Sequence, residues 1–206
     1  MLLVCVVKIL SAFIDNGYPP PVKKRVRQPK VGKQGTSLPE VSRLDMRVGK
    51  IVEVEQHPDA DLLYVEKVDL GEDNLRTVVC GLARHMSSEE MRGLVGVFLC
   101  NLKPVKMRGI ESQGMLMCAT DASGRVEPLI IQSPTEITLG DRVYVHGYPS
   151  EPDSQSHLKQ KVWDKVKSDM RVDGAHMATY KGELWRLKNT PDAVVKAPTV
   201  MDAQIS

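Results

Sequence analysis

From Val41 onward the chain is a succession of short apolar–polar alternations broken by turn-forming residues. RVGKIVEVEQ (47–56) sets Val48, Ile51, Val52 and Val54 as the apolar side of a strand, and HPDAD (57–61) ends it. LLYVEKVDLG (62–71) and LRTVVCG (75–81) read as the next two strands, separated by Glu72-Asp73-Asn74. Ser87 and Glu90 stand at capping-box spacing, which predicts a short helix near 87–92. LVGVFLC (94–100) is an unbroken apolar run, as in a strand buried on both faces. MLMCAT (115–120), VEPLII (126–131) and DRVYVHG (141–147) complete the β-rich part. Short strands with one helix between the third and the fourth predict a mainly β fold, a five-stranded OB-fold barrel. Gly49, Gly71 and Gly96 fit the bends such a barrel needs.

The pattern changes after Pro149. In HLKQKVWDKVKSDM (157–170), Leu158, Val162, Val166 and Met170 fall on one stripe of an amphipathic helix. ATYKGELWRL and AVVKAP then read as short strands. The expected organisation is a short apolar segment (1–16), a basic linker rich in Pro, Gly and Lys (17–40), the barrel (41–148) and an appended α+β subdomain (149–206). The apolar segment MLLVCVVKILSAFI is too short to span a membrane and lacks the basic start of a secretory signal. A short docking helix or strand, or an artefact of start-codon choice, is the expectation there, with no membrane partner.

Charge sharpens this division. The chain is nearly neutral at +2, yet 17–40 carries Lys23, Lys24, Arg25, Arg27, Lys30 and Lys33. Residues 40–149 hold 12 basic and 17 acidic residues, a net of −5. The barrel cannot attract a polyanion through overall charge; it needs a local patch, with the basic arm supplying long-range attraction. Aromatics make up 4% of the chain, which excludes an aromatic stacking platform as the main mode of nucleic-acid binding.

The candidate patch is NLKPVKMRGIESQG (101–114), a turn-rich connection carrying Lys103, Lys106 and Arg108. Arg43, Arg47 and Lys50 flank the start of the first strand. None of these cations has an obvious bidentate acid beside it in the sequence, and Asn101, Ser112 and Gln113 offer neutral hydrogen bonds to phosphate, sugar or base. Met107, Met115 and Met117 read as core. In HPDAD, Asp59 or Asp61 is expected to bond backbone amides. Cys5, Cys80, Cys100 and Cys118 have no metal-ligand spacing and read as reduced, packed thiols of a cytosolic protein. The five histidines pair with no Cys or carboxylate at ligand spacing, and neither a phosphate-binding Gly loop nor a nucleophile elbow occurs. The reading is a non-enzyme without cofactor or metal.

VSRLDMRVGKIVEVEQHPDADLLYVEKVDLGE, RTVVCGL, LCNLKPVKMRGIESQGMLMCA and SEPD together resemble the tRNA-binding domain family, and KVWDKVKSD and ATYKGELW extend the resemblance over about 41–200. It implies an OB-fold with an appendage that imitates the dimer interface of simpler relatives, hence a monomer. It also implies backbone-directed binding of tRNA on behalf of one or more aminoacyl-tRNA synthetases in the cytoplasm. The residues it carries over are Arg47, Lys50, Lys103, Lys106, Arg108, Ser112 and Gln113. The family's lysine run before the helix aligns with Leu158-Lys159-Gln160-Lys161, where Gln160 interrupts a second patch of Lys159 and Lys161. RVGKIVE (47–53) is similar to a heptapeptide tied to cytokine activity in animal relatives, so a secreted polypeptide is the alternative, as is a scaffold for synthetases. A synthetase catalytic domain does not fit in 206 residues. A stand-alone binder, a processed fragment or an incompletely represented gene are the expectations.

Overall fold

The computed structural model describes residues 38–154 and 158–206, so the apolar segment, the basic arm from Lys23 to Lys33 and His157 lie outside the described residues. After a single 3-10 turn at Glu40–Arg43 comes the long strand β1 (Met46–Gln56). β2 (Tyr64–Asp69) and β3 (Arg76–Cys80) continue from it as an antiparallel meander, and α1 (Ser88–Met91) leads into β4 (Val95–Leu99). The Ser87 hydroxyl accepts from the Glu90 amide while the Glu90 carboxylate accepts from the Ser87 amide, which is the capping box expected.

β1 serves two sheets. Its first half lies against β4, Met46 to Lys50 facing Leu99 to Val95, and its second half lies against β2. A register shift between Ile51 and Glu53 bends the strand between these duties. The bend corrects one expectation: Val52 is turned outward and 40% exposed, while Val48, Ile51 and Val54 stay buried. Gly49 and Gly96 face each other across β1 and β4. A Cβ on Gly49 would stand 2.7 Å from the Phe98 ring, and one on Gly96 2.9 Å from the Leu129 carbonyl oxygen. These glycines are there for close approach.

Beyond β4 the chain forms a hairpin, β5 (Val105–Met107) and β6 (Ile110–Ser112), where a turn-rich loop was expected. β7 (Met115–Leu116), β8 (Cys118–Thr120), β9 (Val126–Pro128), β10 (Ile130–Gln132) and β11 (Arg142–Val145) follow. β7 and β10 pair with β4, and β11 pairs with β1. The result is the mainly β OB-fold barrel.

The appendage contains α2 (Gln160–Lys167), β12 (Met170–Val172), β13 (Ala178–Tyr180), β14 (Glu183–Leu187), β15 (Val194–Lys196) and β16 (Ala203–Ile205). Its strands extend the barrel's own sheets: β14 pairs with β11, β15 with β10, and β16 with β8. The helix is shorter than its apolar stripe. Val162, Trp163 and Val166 are buried on it, whereas Leu158 bridges to Leu102 and Met170 opens a strand against Tyr180. One core runs through both parts, from Val48 and Leu99 to Val166, Trp185 and Ile205, and residues 37–206 form one compact unit. The boundary expected at 148/149 falls inside this shared core. Burial of that size stabilises by about 25 cal/mol for each Å² of apolar surface, so neither half is spared if the other is stripped away. Among the described residues, no helix is long and apolar enough to cross a membrane.

Candidate nucleic-acid interface

The 101–114 connection is held rigidly at its base and bears its charges at its tip. Asn101 is fully buried; its Oδ1 accepts from the Asp45 amide at 3.0 Å, and its Nδ2 donates to the carbonyls of Arg43 and Asp153. Every polar atom of the side chain is engaged within the fold, which gives Asn101 a structural role. Ser112 is engaged in the same way. Buried, it accepts from the Val79 amide and donates to the Gly114 carbonyl. The Gln113 Oε1 accepts from the Thr77 amide at 3.0 Å while its own amide donates to the Thr77 carbonyl. Ser112 and Gln113 thereby stitch the hairpin to β3, which would otherwise expose unpaired peptide groups there; Gln113 stays exposed, and among the described residues its Nε2 makes no hydrogen bond.

Arg76 completes the base, and the sequence reading overlooked it. It is 5% exposed. Its Nη1 donates to the carbonyls of Cys100 at 2.9 Å and Gln113 at 3.2 Å, fastening both ends of the connection to one guanidinium. Its remaining nitrogens grip Glu72 at 2.6 and 2.7 Å. That contact holds the Glu72 carboxyl below its ordinary range and Arg76 above its own. An arginine within a strand-forming run, four residues after a glutamate, was the available signal.

Arg43 and Arg47 are committed in the same way, contrary to expectation. Arg43 forms a fork with Asp153, the acid of SEPD, at 2.7 to 3.2 Å. Arg47 forks onto Asp45 and reaches Glu72 at 3.0 Å, and its hydrogen bonds to Asp45 push its guanidinium further above the ordinary range. Asp153 and Glu72 fold back from far along the chain onto these arginines, which local spacing does not reveal, whereas Asp45 stands two residues from Arg47. In RVGKIVE, Val48 and Ile51 are wholly buried, leaving Lys50, Val52 and Glu53 as its exposed members.

Against this neutralised base the hairpin stands out. Lys103, Lys106 and Arg108 are exposed, and among the described residues none of them makes an ion pair. Met107 pairs with Ile110, so Arg108 and Gly109 form a two-residue turn with φ of 48° and 93°. Positive φ at both centres is the type I′ geometry that suits strand twist. Gly109 adopts it freely; Arg108 bears strain of about 1 kcal/mol. Lys50 is exposed on β1 and also makes no ion pair among the described residues.

The second patch proves to be adjacent. Leu102 and Leu158 form a parallel bridge, and the Leu158 amide donates to the Asn101 carbonyl. The residues that follow the two leucines are Lys103 and Lys159, so both segments carry a lysine forward from one point. Lys161, the second residue of α2, is exposed as well.

The family model of the tRNA binding domain matches residues 46–142, the span that contains the barrel strands, the clamp and the cationic hairpin. Residues 46–142 are a domain of the tRNA-binding domain family. It is 46% identical over 177 residues to cytoplasmic tyrosine–tRNA ligase of Danio rerio, covering 84% of this chain and 33% of that protein. It is 44% identical over 166 residues to aminoacyl tRNA synthase complex-interacting multifunctional protein 1 of Cricetulus griseus, covering 81% of this chain and 45% of that protein. The chain thus spans a third to about half the length of these curated relatives. The solved C-terminal domain of Plasmodium vivax p43 superposes with a TM-score of 0.73 at 28% identity, over 82% of this chain and all of that one.

The remaining titratable groups are structural. Glu66 sits at an inward position of β2 between Tyr64 and Val68 and is fully buried. The Cys80 thiol donates to its Oε1 at 2.7 Å, Oε2 has no partner, and burial raises its carboxyl to about 7. Strict period-2 alternation through Tyr64, Glu66 and Val68 was the sequence signal. Burial raises the Cys80 thiol well above its ordinary range and lifts Cys100 and Cys118 to about 12. The HPDAD turn is organised by its histidine: the Asp59 amide donates to His57 Nδ1 at 3.1 Å, where an aspartate acceptor was expected.

Proposed function

We propose that this chain is a non-catalytic tRNA-binding protein that delivers or retains tRNA for one or more aminoacyl-tRNA synthetases, acting in the cytoplasm as a monomer. Lys103, Lys106 and Arg108 hold the phosphate backbone, with Lys50, Lys159 and Lys161 extending the track and the basic arm 23–33 supplying long-range attraction. The observation that carries this reading is the contrast within one domain. Arg43, Arg47 and Arg76 are all held by carboxylates, whereas the hairpin cations make no ion pair among the described residues. A domain of net charge −5 that keeps three cations unpaired on a rigid support presents a local site for polyanions. The relatives named above are synthetases or synthetase-associated proteins, which favours tRNA as the polyanion.

The test is a tRNA-binding isotherm repeated over a range of salt concentrations. Log affinity should fall linearly with log salt, and Lys106→Ala should lower the slope by about 1 and weaken several tRNA species alike. Salt-independent binding, or loss confined to one tRNA, would refute backbone recognition.

A further inference from the structure

A cavity of about 550 Å³ opens beside the cationic hairpin, between it, the end of β3 and helix α2. Its walls are sulfur-rich and apolar: Cys80, Met107, Met115 and Cys118, closed on one side by Trp163. Met107 and Met115, expected as core, are only half-buried because they line this space; Met117 alone of that trio is fully buried. Two lysines border it, Lys103 from the connection and Lys167 from α2. Among the described residues, Lys167 forms an ion pair with Asp164 alone, at 3.2 Å on the exposed helix face.

We propose that this cavity receives one unpaired nucleobase of the bound RNA, with Lys103 and Lys167 holding the phosphates on either side of it. The inference rests on the tRNA-binding reading and adds a site to it. A flat apolar ring with a polyanionic backbone attached matches an apolar slot bordered by cations. An aliphatic protein side chain would leave both lysines unanswered. Polarizable thioether and thiol groups pack well against aromatic faces, and an indole offers a stacking surface. The scarcity of aromatics excludes a platform for successive bases, but a single slot needs only one. The Ser112 hydroxyl and the Cys80 and Cys118 thiols on the wall are already engaged within the protein, so they leave the slot to take a base by its faces and to discriminate little among the four.

The experiment compares two RNA duplexes titrated against the full chain, one carrying a single unpaired 3′ 2-aminopurine nucleotide that ends in a 3′-phosphate, the other blunt and bearing terminal phosphates that match the added charge. The expected result is about tenfold tighter binding of the overhang duplex, with a change in 2-aminopurine fluorescence on binding. Gly81 lines the cavity, and a Cβ there meets no atom within 4 Å, so Gly81→Leu adds bulk at the cavity with no clash at its Cβ. It should erase the tenfold preference and leave blunt-duplex affinity unchanged; Cys118→Leu, from the opposite wall, should do the same. Equal binding of the two duplexes by the unmodified protein overturns the proposal. So does a preference that survives both fillings in variants melting like the parent. If the fillings spare the preference but release a co-purifying synthetase, the cavity belongs to a protein partner and the base slot is equally refuted. Failure to bind either duplex or tRNA at moderate salt would instead sink the tRNA-binding reading itself.

Discussion

His57 and Met107, 50 residues apart, are joined by a hydrogen bond of 3.1 Å between the imidazole Nε2 and the main-chain carbonyl. Because Nδ1 accepts from the Asp59 amide, the ring proton resides on Nε2, which donates to Met107. One buried ring thereby orders the β1–β2 turn and anchors the far strand of the hairpin next to Arg108. His57→Ala should destabilise the fold by about 2 kcal/mol in urea denaturation. It should also speed amide exchange from Val105 to Ser112 relative to β1. Unchanged exchange there would remove His57 from the hairpin's support.

Arg76 is expected to matter more to stability than any exposed cation. Arg76→Met leaves the carbonyls of Cys100 and Gln113 without their donor and Glu72 without its fork. The cost should be about 3 kcal/mol. Arg76→Lys should recover little of it, since an ammonium cannot reproduce the planar fork. Denaturant midpoints of the two variants check this; full rescue by lysine would show that charge alone suffices.

At the hairpin tip, stability and binding should move in opposite directions. Arg108→Asn places a residue tolerant of positive φ in the type I′ turn and should stabilise by up to about 1 kcal/mol. It removes a proposed phosphate contact, and the salt slope for tRNA should fall by about 1. A melting curve and a salt titration on the same variant are sufficient. Loss of stability would mean that Arg108 is held by something other than its turn.

Glu66 gives the pH prediction. Its carboxyl is near 7 folded and 4.5 as a free side chain. Between these values the unfolded chain loses a proton that the folded chain keeps, so stability falls as pH rises through 4.5 to 7 and stays reduced above. The size is about 3 kcal/mol. Glu66→Gln should flatten this part of the profile, melting closer to the parent at pH 4.5 and several degrees above it at pH 8. Parallel profiles for the two proteins would show that Glu66 does not titrate in the fold.

The barrel was legible in the sequence because period-2 alternation and turn residues are local quantities. β1 to β4 and the capped helix stand where those patterns put them. The β5–β6 hairpin was not legible: Arg-Gly is a weak type I′ signal beside Asn-Gly, and its strands are three residues long. β12 and β16 were missed for a related reason, since each is three residues long and pairs with residues far along the chain, Ala203 for Val172 and Ala119 for Ile205.

The sequence by itself determined the family, the mainly β architecture, the acidic balance of the barrel and the place of the cationic connection. Only the tertiary structure decided which of the polar residues are available to a ligand. Asn101, Ser112, Gln113, Arg43 and Arg47 look as available as Lys103, Lys106 and Arg108 when read in a line. Their hydrogen-bond and ion-pair partners lie 2 to 110 residues away. A buried polar group must find its partner wherever the fold brings one, and linear spacing carries almost no information about which partner that will be.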